Sequence, residues 1–320
     1  MKVCVASPYP LTELKGNSVT TNRIVGILRD SGIDARSSHL YDGLPADVLI
    51  SLHAVKGAPA VFDYRAKIPN GYVIVLITGT DLYESLPGGS EVGVRALKEA
   101  DRIVVVQEAA IARLPESVRE KAVVIPNSLD PINIQAKPEV PPFAISVVGH
   151  PRPVKKPFLT IEAVAKHPEW TDVEVWQIGE ALDESSRAVA EMWEEKDPRF
   201  RWFGGLPREE ALRLLAKSSL TVNSSVLEGG ANAILEAMTI GVPVLASRIE
   251  GNQGLLGEGY PGYFDEGELE GVLGAIIDKR VELRDWSRLA TARLPLFARE
   301  KEAECWLELL VIPNYQQRTS

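Results

Sequence analysis

Cysteine is almost missing from this chain, which has two in 320 residues, alongside four histidines and three methionines. Cys4 falls in an apolar run and Cys305 in a helical one, so the sequence offers neither a disulfide framework nor a metal-ligand spacing. That usage fits a reducing cytoplasm. Basic charge is also short: the formal net charge is −9 and the pI near 5.2, which speaks against a nucleic-acid partner, because phosphate backbones attract a basic field. No apolar run approaches the roughly 18 residues of a membrane-spanning helix, and Met1-Lys2-Val3-Cys4-Val5 enters a strand directly, unlike a targeting signal. Hydrophobic residues, by contrast, make up 45% of the chain, and its length exceeds what one core organises. Two domains of about 150 residues each are expected.

Short apolar runs alternate with helical stretches, the pattern of parallel sheets covered on both faces. In the first half the expected strands are Lys2–Ser7, Asp47–Leu52, Tyr72–Thr78, Arg102–Val106 and Ala122–Ile125, with helices over Asn17–Ser31 and Glu91–Ala100. In the second they are Phe143–Val148, Glu174–Ile178, Arg201–Phe203, Leu220–Asn223, Val242–Ala246 and Tyr263–Phe264, followed by a largely helical tail from Leu283 to Leu310. Residues 131–142 carry four prolines and read as the linker. The fold class is α/β, with two doubly wound Rossmann-like domains over 1–135 and 143–300, and a helix and tail over 301–320 available to pack back on the first.

The stretch with the densest chemical content is Ser224 to Met238. Gly229 and Gly230 precede a helix start, so the backbone can approach a ligand while the first helical amides point outward, an arrangement that attracts a phosphate or diphosphate. Glu228 stands before this mouth and Glu236 is expected about two turns inside the helix, so the two carboxylates grip opposite ends of one long ligand. The plain alternative is a glycine turn followed by an amphipathic helix with two solvated glutamates. Other strand ends add to the picture. Phe143–Val148 runs into Gly149, His150, Arg152, Lys155 and Lys156 among three prolines, a basic loop suited to a diphosphate leaving group, or simply a solvated one. Trp202 to Pro207, with Gly205 and Leu206, offers backbone beside aromatics as a nucleobase slot needs, or a turn over core aromatics. In the first half, Lys15, Gly16, Asn17 and Ser18 form a second anion-friendly helix start, capped by Asn17 or Ser18. His53 and the cluster Thr78-Gly79-Thr80-Asp81-Leu82-Tyr83 sit at strand ends, though a histidine there is more often a loop hydrogen-bonder than a catalyst.

Taken together, these residues resemble the retaining glycosyltransferases of family 4, which have the GT-B fold. The Glu228/Glu236 pair, the basic loop after Gly149, the glycine loop after the first strand and Pro126-Asn127-Ser128 carry the likeness. The resemblance implies that Glu236 holds the ribose hydroxyls of a nucleotide sugar, that the amides of Gly229, Gly230, Ala231 and Asn232 hold sugar and diphosphate, and that Glu228 lies by the sugar hydroxyls. His150 stands where the family usually has arginine, with Arg152 nearby, and Thr78 replaces the family's histidine. These departures, with Thr78 to Tyr83, Gly149 to Lys155, Glu228 to Asn232, and Ser247 to Phe264, look like the selenosugar synthases of selenoneine biosynthesis.

That likeness implies transfer of a hexosyl group from UDP-N-acetylglucosamine or UDP-glucose to selenophosphate, giving a 1-seleno sugar, UDP and phosphate. It also implies pathway partners that supply selenophosphate and use the product. Lys155, Arg152 and Glu228 are the expected catalytic residues; His150, Gly205, Leu206, Gly229 to Asn232 and Glu236 the nucleotide-sugar residues; Gly16, Asn17, His53, Thr78 and Thr80 the acceptor residues. No cofactor and no metal are expected, since an Asp-x-Asp motif is absent from the obvious strand ends and cationic side chains serve instead. The rivals are a hexosyltransferase acting on hydroxyl acceptors, a catalytically silent sugar-nucleotide binder and a GT-B epimerase.

Overall fold

A computed structural model of the chain describes residues 1–12, 16–129, 132–138, 141–279 and 281–311. Two compact units emerge, one of Met1–Ser128 with the stretch from Leu296 onward, the other of Leu129–Pro295.

The first unit runs β1 (Lys2–Ser7), α1 (Gly16–Asp30), β2 (Asp34–His39), β3 (Val48–Leu52), α2 (Ala58–Lys67), β4 (Tyr72–Leu76), α3 (Glu91–Glu99), β5 (Arg102–Val105), α4 (Ala109–Arg113) and β6 (Ala122–Val124). Its strands form one parallel sheet in the order β2-β1-β3-β4-β5-β6. Successive side chains of a strand point to opposite faces, and here both faces are dry. Val3 and Val5 join Ile24, Ile27 and Leu28 of α1 on one side, whereas Cys4 and Ala6 join Val61, Tyr64 and Leu97 on the other. β2 is absent from the expected strands because Asp34-Ala35-Arg36-Ser37-Ser38-His39 has almost no apolar content; its pairing with β1, not its composition, makes it a strand.

The second unit runs β7 (Phe143–Val148), α5 (Leu159–Val164), β8 (Val173–Ile178), α6 (Glu184–Lys196), β9 (Phe200–Trp202), α7 (Arg208–Ala216), β10 (Leu220–Asn223), α8 (Asn232–Ile240), β11 (Val244–Ser247), α9 (Glu250–Leu256), β12 (Tyr263–Phe264), α10 (Leu269–Ile277) and α11 (Leu283–Thr291). Its parallel order is β12-β11-β10-β7-β8-β9. The described strands match the expected ones to within two residues. The strand expected from Val242 starts at Val244, beyond Pro243, which has no amide to donate.

Two boundaries differ from expectation. The proline-rich segment lies within the second unit, where Ala136 N donates to Ile240 O at 2.8 Å and Lys137 N to Ala216 O at 2.7 Å, so its backbone is tied down. The return to the first unit comes at Leu296, and the expected boundary at 300 falls inside α12 (Arg299–Leu309). Trp306 of α12 is fully buried among the side chains of α1 and β1. Buried Glu302 accepts from Ser128 N at 2.8 Å, from Ser128 Oγ at 2.5 Å and from Trp306 Nε1 at 3.2 Å, and pairs with Arg23 at 3.3 Å. Residues 312–320 of the expected tail lie outside the described residues. Among the described residues, no helix is long and apolar enough to cross a membrane.

Candidate functional site

Open parallel sheets bind ligands beyond the carboxyl ends of their strands, where two neighbouring strands send their connections in opposite directions. In the second unit that point lies between β7 and β10. The loop after β7 carries Gly149 to Pro157, and the loop after β10 carries Ser224 to Ala231. The two are laced together: Val226 N donates to Val154 O at 2.9 Å, and Ser224 Oγ reaches the carbonyls of Lys155 at 2.9 Å and Lys156 at 2.8 Å. The lacing sets Lys155 Nζ 3.0 Å from Glu228 Oε1, and Ser225 Oγ donates to the same oxygen at 2.7 Å. Lys155 and Glu228, 73 positions apart in sequence, are therefore one half-buried ion pair. Left-handed Lys156 turns away and pairs with Glu266 at 3.0 Å. Arg152 is exposed and has no partner among the described residues.

The helix mouth has an open cap. α8 begins at Asn232, and its N-cap is Ala231, whose side chain offers no acceptor, so the first amides of the helix keep their hydrogen-bonding capacity. The glycine loop in front is pressed from behind by α9. A Cβ on Gly251 would come within 2.1 Å of Glu228 O, and buried Asn252 donates to Asn223 Oδ1 at 3.2 Å and Ser247 O at 2.9 Å. The stretch after β11 thus buttresses the mouth.

Glu236 requires a correction. It is the fifth residue of α8, little more than one turn inside, because the helix starts at Asn232 rather than at the glycines. Its side chain is 15% exposed and lies 3.4 Å from Arg208 Nε. Burial pushes its proton affinity up, and the Arg208 guanidinium acts in the opposite direction. Arg208 was missing from the expected site because nothing in Leu206-Pro207-Arg208-Glu209-Glu210 distinguishes it from the solvated charges of any helix start.

The ends of β7, β8 and β9 form a ledge beside this mouth. Gln177 Nε2 and Trp202 Nε1 donate to the carbonyls of Gly149 and Gly179, each at 2.9 Å, and Gly179 N donates to Gly204 O at 2.9 Å. A Cβ on Gly179 would come within 2.1 Å of Gly149 O, so only glycine permits this approach. His150 Nδ1 lies 3.0 Å from Glu180 O, and Gly205 and Leu206 follow at the edge. Phe203 packs edge-on against Trp176 at 5.9 Å, within the domain.

In the first unit the corresponding point lies between β1 and β3. His53, left-handed and 1% exposed, places Nδ1 2.5 Å from Oδ1 of fully buried Asp81, and the amides of Val55 and Lys56 point at the same Nδ1 at 3.3 and 3.2 Å. Asp81 further accepts from Ala54 N at 3.0 Å, Val55 N at 3.3 Å, and Thr78 N and Oγ1 at 3.2 Å each. Nε2 of His53 is buried with no partner among the described residues. Thr78 therefore serves Asp81, while Thr80 is exposed before a π-helical turn, Asp81–Ser85. Gly16 opens α1 with Asn17 behind it, but Ser18 does not cap the helix: its Oγ donates to Pro10 O at 3.2 Å. Lys15 lies outside the described residues. At the rim, Lys56 Nζ donates to Tyr9 OH at 2.5 Å, a pair that sequence inspection missed because both residues read as ordinary loop positions. Among the described residues, no group of three or more His, Cys, Asp or Glu side chains is placed to hold a metal.

Comparison with known proteins follows the same division. Residues 131–284 match the family described as glycosyl transferases group 1. HepE from Anabaena, solved with UDP and glucose, is similar at 17% identity and a TM-score of 0.73, over 97% of this chain and 99% of that one. The sucrose-phosphate synthase of Thermosynechococcus elongatus is similar at 14% identity and a TM-score of 0.80, over 99% of each chain. WaaG, a glycosyltransferase of lipopolysaccharide biosynthesis, matches at 16% identity and a TM-score of 0.67, over 95% of this chain and 99% of that one. At these identities the likeness is one of fold: two Rossmann-like α/β units, as in GT-B proteins.

Proposed function

We propose, from the match of residues 131–284 to the family described as glycosyl transferases group 1, that this chain transfers a hexosyl group from a UDP-sugar to selenophosphate. The donor is UDP-N-acetylglucosamine or UDP-glucose. The bond between the anomeric carbon and the diphosphate oxygen breaks, UDP leaves with the electron pair, and selenium supplies the pair for the new carbon–selenium bond. Water then cleaves the selenium–phosphorus bond, releasing phosphate and the 1-seleno sugar.

The observation that carries this reading is the Lys155–Glu228 pair at the foot of the open-capped α8. A diphosphate entering there meets Lys155, Arg152 and the amides from Gly229 to Asn232, and as it takes Lys155 it releases Glu228 to accept from sugar hydroxyls. Negative charge developing on the leaving group is met by these groups, with no metal required. Complexes of HepE with UDP and glucose, and with UDP-glucose, support the donor class. Selenophosphate is supported by the motif resemblance at Thr78 to Tyr83, Gly149 to Lys155 and Ser247 to Phe264. Lys56, three residues after His53 and bonded to Tyr9, adds a cation at the end of β3 suited to a small oxyanion, with Gly16, Asn17, His53 and Thr80 as the other acceptor residues.

Incubation of the chain with selenophosphate and a panel of UDP-sugars, followed by mass spectrometry, is expected to give a 1-seleno sugar together with UDP and phosphate, with or without EDTA. A product formed only with hydroxyl acceptors overturns the selenium assignment.

A further inference from the structure

Arg208 opens α7 directly after the Leu206-Pro207 ledge, and its Nε lies 3.4 Å from Glu236 Oε1. The partners differ in exposure, 53% for the arginine side chain against 15% for the glutamate. An exposed guanidinium moves freely, whereas a glutamate one turn inside a helix does not. Loss of hydration raises Glu236's affinity for a proton, and Arg208 alone opposes it, by charge and by hydrogen bonding. The other charges on α7 (Glu209, Glu210, Arg213), Glu250 of α9, and Arg284, Asp285 and Arg288 of α11 contribute nothing to that balance; β10 and β11 carry no charge. Both mouth carboxylates thus lie against cations, Glu228 against Lys155 and Glu236 against Arg208.

We propose that Arg208 is a nucleotide-site residue that stands in for the ribose diol at Glu236 before a nucleotide binds, and swings away when the diol takes its place. This rests on the reading of Glu236 as the ribose ligand. An ionised carboxylate accepts from both ribose hydroxyls, whereas a protonated one must spend its own hydrogen and accepts less well. The exchange exploits the arginine's exposure: the diol enters as the guanidinium swings out, with no backbone movement.

The test compares the full chain with R208Q and R208K. UDP affinity is measured by calorimetry at pH 8 and pH 6, and the Glu236 carboxyl of the empty protein is followed by carbon NMR, assigned with E236Q. Without Arg208 the proton affinity of Glu236 rises further, so the acid form appears as pH falls. The R208Q-to-wild-type ratio of UDP dissociation constants should therefore be larger at pH 6 than at pH 8, the direction expected from one lost opposite charge. The R208K ratio should stay nearly flat, and Glu236 in empty R208Q should titrate at higher pH than in the wild type. Parallel pH profiles for R208Q and wild type, or an unmoved Glu236 titration, overturn the proposal and leave the nucleotide reading intact. Failure of the wild-type chain to bind UDP at either pH sinks both.

Discussion

At the switch point of the second unit, Lys155 and Glu228 meet across two loops with 21% and 12% of their side chains exposed; at that of the first, His53 and Asp81 meet with 1% and 0%. Both are nitrogen–carboxylate pairs at the ends of parallel strands, yet they differ in what can displace them. The lysine pair opens to solvent beside a helix start that lacks a side-chain cap, so an incoming diphosphate can take over one partner. Asp81 is enclosed by four further donors from Ala54, Val55 and Thr78, so the pair is fixed and only Nε2 of His53 is left over. The exposed cation of the first unit stands apart from that pair, where Lys56 donates to the Tyr9 hydroxyl. One pair is reachable from solvent and the other is enclosed.

Removing each partner tests that contrast. The largest effect is expected from Lys155→Ala, which should lower the rate of UDP release by about 100-fold or more, the loss typical of a group that meets developing charge, while circular dichroism stays unchanged. Near-normal turnover in this variant breaks the comparison at its functional end. Asp81→Asn should cost about 2 kcal/mol in urea unfolding, because buried donors of Ala54, Val55 and Thr78 lose a carboxylate acceptor. Stability within error of the wild type would show that the His53 pair is not fixed as described. Lys56→Gln should raise KM for selenophosphate about tenfold through loss of one charge-assisted hydrogen bond, with the affinity for UDP unaltered. Equal loss for UDP would erase the distinction between the units. Smallest of all, the two cysteines sharpen the same difference between sealed and accessible groups. Burial pushes the Cys4 thiol up to about 11, so at pH 8 a thiol reagent should modify Cys305 alone in the native chain.

Much of the fold was legible because both sheets are parallel and dry on both faces, which forces continuous apolar runs such as Val48 to Leu52 and Tyr72 to Leu76. β2 was not, since an edge strand of mostly polar residues borrows its conformation from its neighbour. The Ser224 to Glu236 stretch was legible through its glycines and its two glutamates. The start of α8 was misplaced by about one turn because glycines mark where a backbone can bend, not where intrahelical hydrogen bonding begins. Ser18 was read as a cap, but its hydroxyl finds the Pro10 carbonyl, a partner set by the path of the preceding loop.

The sequence by itself determined the α/β class, the two alternating halves, the glycine-gated helix mouth and the basic loop, because these follow from periodicity and from the local chemistry of glycine, proline and charge. Tertiary structure alone decided which charges meet. Lys155 rather than Lys156 faces Glu228, Arg208 faces Glu236, Asp81 locks His53, and α12 returns to seat Trp306 in the first unit. The physical reason is range: hydrogen-bonding periods act over a few residues, whereas an ion pair between residues 73 positions apart exists only after β7 and β10 have come to lie side by side in one sheet.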